Sequence, residues 1–145
     1  MKTHLTILLA AVFLLTGCEK ARLDQQVKEL CAKDGGIKVY ETVKLPAERF
    51  DQRGMINNYR PTQGENALGP EYIFKSETTY YRKGNPEMWR DHHRIFRRLD
   101  GKLLSESVSY SRRGGDLPGP WHPSSFACPK EIGLIEKTFI RSDKE

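Results

Sequence analysis

The chain has 145 residues, with 24 Lys and Arg against 19 Asp and Glu, for a formal charge of +5. That length suits one domain around one core, and six Phe, six Tyr and two Trp can fill it. So mild a basic balance gives no footing for nucleic-acid binding, and no Cys-x-x-Cys pair is present to suggest thiol redox chemistry.

In chain order, Lys2 supplies a short positive segment and Leu5–Leu15 (LTILLAAVFLL) is almost wholly apolar. That run is too short to span a bilayer as a helix, which needs about 20 residues. It has the length of the apolar region of a secretory signal peptide. The small residues Thr16 and Gly17 follow, then a cysteine. Leu15-Thr16-Gly17-Cys18 resembles the lipobox of bacterial lipoproteins. The resemblance covers the first 18 residues. It implies a signal peptide over 1–17 and a mature domain over 18–145, with the Cys18 thiol carrying diacylglycerol and the new amine acylated, palmitate being a typical chain. Residue 19 is Glu rather than Asp. In proteobacterial lipoproteins Asp at that place favours retention in the inner membrane. The resemblance therefore implies the outer membrane, facing the periplasm. No second long apolar run follows.

Giving Cys18 to lipid leaves Cys31 and Cys128. In an oxidising compartment the two most simply pair, tying the start of the domain to its end; two free buried thiols are the alternative. Residues 20–34 read as an amphipathic helix, with Leu23, Val27, Leu30 and Cys31 on one face, closed by Gly35-Gly36. Residues 37–43 alternate as a strand, and Leu45-Pro46 ends it. Residues 47–70 carry Gly54, Pro61, Gly64, Gly69 and Pro70. They are expected to be irregular, pinned to the core by Phe50, Met55, Ile56 and Tyr59. Residues 71–83, 88–99 and 102–112 read as strands. Gly84-Asn85-Pro86 makes one turn and Asp100-Gly101 a two-residue type I′ hairpin. Residues 113–130 read as a structured loop returning Cys128 to the helix, and 132–140 as a last strand or short helix. The fold class expected is α+β: an N-terminal helix packed on an antiparallel sheet of about four to five strands, as a single domain.

On the two-residue Asp100-Gly101 register, Trp89, Ile95, Leu99, Leu104, Val108 and Tyr110 line a core face; a three-residue turn would slip the register by one and bring Phe96, rather than Ile95, against the core, with the serines outward either way. The opposite face then presents Arg90, His92, Arg94 and Arg98 beside Ser105, Ser107, Ser109 and Ser111. Guanidinium forks suit carboxylate and phosphate, so Arg90, Arg94 and Arg98 form a candidate site for an acidic protein face or an anionic envelope component. Arg112 and Arg113, next to Gly114, Gly115 and Asp116, form a second basic cluster that could make an anion-binding nest of backbone amides. The bland reading of both is a solvated surface with paired charges.

Other constellations are weaker. His92 and His93 are neighbours on a strand and point to opposite faces. A zinc site would need one of them to join His122 and a carboxylate such as Asp91 or Asp116. His122, Ser124 and Ser125, with Asp116 upstream, have triad chemistry but no nucleophile-elbow motif. Trp121, between Pro120 and His122, is expected to pack over the disulfide, with an exposed interaction anchor as the alternative. No catalytic residue, metal or cofactor is assigned. The function expected is a non-catalytic, lipid-anchored envelope protein that binds a protein or anionic envelope component. A small periplasmic inhibitor or exclusion factor, presenting a loop from 47–70 or 113–127, is one alternative, and a small hydrolase another.

Overall fold

A computed structural model describes residues 2–130 and 133–143, with side chains from residue 18 onward. The expected signal peptide, residues 1–17, lies outside the described side chains, as does Ile132 of the last expected element.

Helix α1 spans Lys2–Asp34. Its predicted apolar face is the one that packs: Leu23, Val27 and Cys31 are buried, the i, i+4, i+8 stripe that puts three side chains on one side of a helix. The helix ends where Gly35 N–H donates to Cys31 O at 2.8 Å. Gly36 follows at φ +123°, a conformation side chains rarely adopt.

The strands are β1 (Gly36–Val39), β2 (Val43–Leu45), β3 (Tyr72–Arg82), β4 (Glu87–Arg97), β5 (Leu103–Arg113), β6 (Ser125–Cys128) and β7 (Phe139–Arg141). Five of them form one antiparallel sheet in the order β1-β5-β4-β3, with β6 also on β5. With α1 packed on it, the fold class is the α+β one expected. Besides β4, strand β5 pairs with β1, through residues 105–108, and with β6, through residues 110–113.

The chain folds as two compact units. The first holds residues 1–35, 79–90 and 109–129. In it α1 lies against β6, and Cys31 and Cys128 form the expected disulfide, with Cα atoms 5.9 Å apart. The bond closes a separation of 97 residues, which in the chain-entropy view stabilises the fold by about 4–5 kcal/mol. The second unit holds residues 36–78, 91–108 and 130–145. Its core is Ile56, Leu68, Tyr72, Ile95, Leu104, Leu134, Ile135 and Phe139, with Phe50 and Tyr59 packed against it. Tyr72 and Phe139 meet edge to face, centroids 4.8 Å apart.

Several expectations need correction. The single strand over 37–43 is two: Tyr40 and Glu41 both donate their N–H to Leu104 O, at 2.8 and 3.0 Å. The doubled donors break the alternation, and β2 leaves to pair in parallel with β7. The Asp100-Gly101 turn is not type I′. Gly101 N–H bonds Arg97 O and Arg97 N–H bonds Lys102 O, both at 2.9 Å, so Arg98–Gly101 is a four-residue loop. Only Gly101 has positive φ, where type I′ needs two such residues. Leu99 therefore sits at the loop, 92% exposed, not on the core face. Part of the expected loop over 113–130 is strand β6. The last element is both predicted forms in succession, helix α2 (Leu134–Thr138) and then β7. Ser105 was expected to face outward and is fully buried. Its hydroxyl is 2.6 Å from Thr138 Oγ1, which itself donates to Leu134 O at 2.6 Å. With its one proton spent, Thr138 accepts, and Ser105 donates.

Candidate functional site

Cys18 lies on α1 with its thiol exposed and unbonded. Each of the next two residues is fastened to a different segment of the first unit. Glu19 accepts a charge-assisted hydrogen bond from Arg82, at the end of β3. Lys20 Nζ donates to Asp116 Oδ1 at 2.6 Å, in the loop between β5 and β6.

That loop is built around Asp116. Its carboxylate also receives the Ser124 N–H at 2.6 Å and the Ser124 hydroxyl at 2.7 Å. Lys20 first, then the two Ser124 donors, hold the Asp116 carboxyl far below the usual range for an aspartate. The loop is tied to the β3–β4 turn by Gly115 N–H donating to Asn85 Oδ1 at 2.7 Å. A Cβ on Gly114 would lie 2.1 Å from the same oxygen, so only glycine permits that approach.

Arg112 is the buried centre of this region, 2% exposed. Its Nε and Nη2 reach the two carboxylate oxygens of Asp24 on α1, at 2.7 and 3.1 Å. Nη1 donates to Gly114 O and to the Ser124 carbonyl and hydroxyl. The predicted nest at 112–116 is thus filled from within: Gly114 N–H bonds Ser124 O at 2.9 Å, and Gly115 N–H bonds Asn85. Arg112, expected to meet a partner, is spent on the fold, whereas Arg113 is exposed.

Trp121 does not pack over the disulfide. Its indole lies on Gly119, where an added Cβ would fall 2.1 Å from the ring, and Nε1–H donates to Leu117 O at 3.1 Å. The ring is held in place yet is 60% exposed, beside Leu117 at 45%. The flanking prolines and glycines were the available signal: a rigid loop with little bulk beneath the ring leaves a tryptophan uncovered.

The arginine row of β4 is not one patch. Arg90, in the first unit, lies 3.6 Å from Asp34. Tyr110 donates to Asp34 at 2.8 Å, so Arg90 shares the α1-facing side with Tyr110, against expectation. Burial first, then the bond to Asp34, push the Tyr110 phenol up to about 12. In the second unit Arg94 reaches Glu77 at 3.0 Å. Arg98 clasps Pro70 O at 2.9 Å and Asn66 Oδ1 at 2.8 Å.

His92 and His93 diverge as strand neighbours should. His92 Nε2 is 2.7 Å from Glu106 Oε2, and Tyr40 also donates to that carboxylate. Those two bonds, Tyr40 first, lower the Glu106 pKa. His93 stacks on Phe74 at 5.7 Å, and burial lowers its pKa. Among the described residues no three His, Cys, Asp or Glu side chains gather as a metal site would require. Ser124, the candidate nucleophile, gives its proton to Asp116 rather than to a histidine. Lys20, Asp24 and Arg82 were not singled out from sequence, because an ion pair between distant segments leaves no periodic mark.

Comparison with protein-family models, curated proteins and solved structures returns no match.

Proposed function

We propose that the chain is a non-catalytic envelope lipoprotein, held to a membrane by acyl chains on Cys18, that binds a protein or an anionic envelope component. The observation that carries this reading is the division of the three cysteines. Cys18 ends a lipobox-like segment and is exposed and unbonded, while Cys31 and Cys128 share a disulfide. Two or three acyl chains at about 0.8 kcal/mol per buried methylene would make such an anchor stable. Glu19 after the cysteine supports the outer membrane, with the domain in the periplasm. Arg113 is the most available of the candidate binding arginines; Arg90 and Arg94 serve only where a partner's acid can displace Asp34 or Glu77, and Arg98 only where one can displace the Pro70 and Asn66 oxygens.

The test is fractionation of cells expressing the wild type and Cys18→Ser. The variant is expected in the soluble fraction or uncleaved, with its disulfide intact. A Cys18→Ser chain still in the membrane fraction at the size of the processed wild type would sink the proposal.

A further inference from the structure

We propose that the end of the first unit formed by the β5–β6 loop and the β3–β4 hairpin is a seating face for the bilayer itself, with Trp121 and Leu117 lodged among the lipid headgroups. The inference rests on the reading that Cys18 carries the anchor.

Three observations converge on it. First, Trp121 and Leu117 are large apolar side chains held out to solvent by an ordered loop: the indole N–H already has its acceptor, so the remaining exposed ring is apolar. Tryptophan is the residue most enriched at membrane–water interfaces, where one end of the ring is wet and the other is not. Second, this loop is bonded to the residues that follow Cys18. Lys20 holds Asp116, one residue from Leu117. Two helical positions separate Lys20 from Cys18, about 3 Å of rise. Acyl chains leaving Cys18 therefore bring the bilayer to the loop. Third, Glu19 is paired with Arg82, placing the outer end of the β3–β4 hairpin at the same site. That hairpin exposes Tyr80 and Tyr81, and Lys83 lies over the Tyr80 ring at 5.4 Å. Exposed aromatics with a long basic side chain are the composition of an interfacial belt. The two acids nearest the anchor, Glu19 and Asp116, are both ion-paired.

A protein partner would also accept an exposed tryptophan. Continuity with Cys18 favours the bilayer, because a partner at this loop would have to enter between the domain and the membrane that holds it.

The experiment uses protein purified from membranes of expressing cells, with its N-terminal mass measured first. Acylated protein is reconstituted into phosphatidylethanolamine–phosphatidylglycerol vesicles with or without brominated acyl chains. A Cys18 found with a free thiol would refute the anchor reading. That thiol, the one outside the disulfide, is then coupled to a maleimide lipid, so seating is read in either case. Wild type is compared with Trp121→Ser, and the difference isolates Trp121 from Trp89; a Trp89→Phe variant reads Trp121 directly. Relative to protein without acyl chains in buffer, expected are a blue shift of Trp121 emission and loss of acrylamide quenching in vesicles, with loss of intensity where the acyl chains are brominated, all reduced in Leu117→Asp. Trp121 emission and acrylamide quenching in vesicles equal to those of protein without acyl chains in buffer, with no loss of intensity in brominated vesicles, would overturn the proposal and leave the loop free for a protein.

Discussion

Arg112 and Asp24 meet through two parallel hydrogen bonds, Nε to Oδ1 at 2.7 Å and Nη2 to Oδ2 at 3.1 Å. This fork joins the last residues of β5 to the α1 turn that begins the buried stripe. Removing one partner of a buried pair leaves a charge without compensation, at about 3–5 kcal/mol; with Asp24 partly exposed, Asp24→Ala should cost roughly 2–4 kcal/mol. The double variant Asp24→Leu, Arg112→Met should recover most of that, since an apolar pair of similar volume is often neutral. Urea denaturation of the four proteins measures both values.

Loss of the disulfide is expected to be at least as costly. Cys31→Ala with Cys128→Ala should lower stability by about 4–5 kcal/mol if the whole entropic effect is realised. The denaturation midpoint of the oxidised wild type should fall to that of the variant on addition of a reductant.

Arg98 distinguishes a structural arginine from a binding one. Its guanidinium holds Pro70 O and Asn66 Oδ1. Arg98→Ser should therefore destabilise by about 1–2 kcal/mol and speed amide exchange of Ala67 and Leu68. Arg113→Ser should leave stability within about 0.5 kcal/mol and weaken, in a salt-dependent way, the proposed binding to an anionic partner. The opposite pattern would reverse the two roles.

Two of the shifted groups give separable pH dependences. His93 has a lowered pKa because burial against Phe74 disfavours its cation. The unfolded chain then binds a proton that the folded one refuses, so stability falls with pH below about 6.5. In His93→Phe that loss between pH 7 and 5.5 should be smaller. Asp116 acts at lower pH. Its carboxyl is held down by Lys20 and Ser124, so its contribution is present above about pH 4 and is lost as acid protonates it. Asp116→Asn should be less stable than wild type at pH 7, and the gap should close as pH falls below 4. Thermal unfolding across pH reads both effects.

The sequence makes some of this architecture legible and hides the rest, for physical reasons. The α1 stripe, the three long strands and the Cys31–Cys128 bond are legible because periodicity and cysteine number are local or countable. The Asp100-Gly101 pair reads as a hairpin, and a hairpin is there, but turn length depends on which carbonyl Gly101 reaches, and that is Arg97. Strand β6 hides in a segment dense with proline and serine because pairing with Ser111 and Arg112, not intrinsic propensity, makes it a strand. Ser105 reads as an outward hydroxyl until Thr138, 33 residues later, arrives to bury it. The arginines show the same limit: their number is visible, but their partners Asp24, Asp34, Glu77 and Asn66 come from segments that only the fold brings near.

Helix α1 has one more consequence, for the order of oxidation. The chain holds three cysteines, which allow three pairings. Cys18 and Cys31 lie on the same helix, 13 positions or about 20 Å apart along its axis. A disulfide tolerates Cα atoms no more than about 7 Å apart. Once α1 is wound it works as a ruler that forbids that pairing outright. Only Cys18 remains to compete for Cys128, and under the proposed lipid anchor acylation would protect its sulfur. The helix removes one wrong product, and the proposed lipid would remove the other, so that a single oxidant would suffice without an isomerase to sort the bonds.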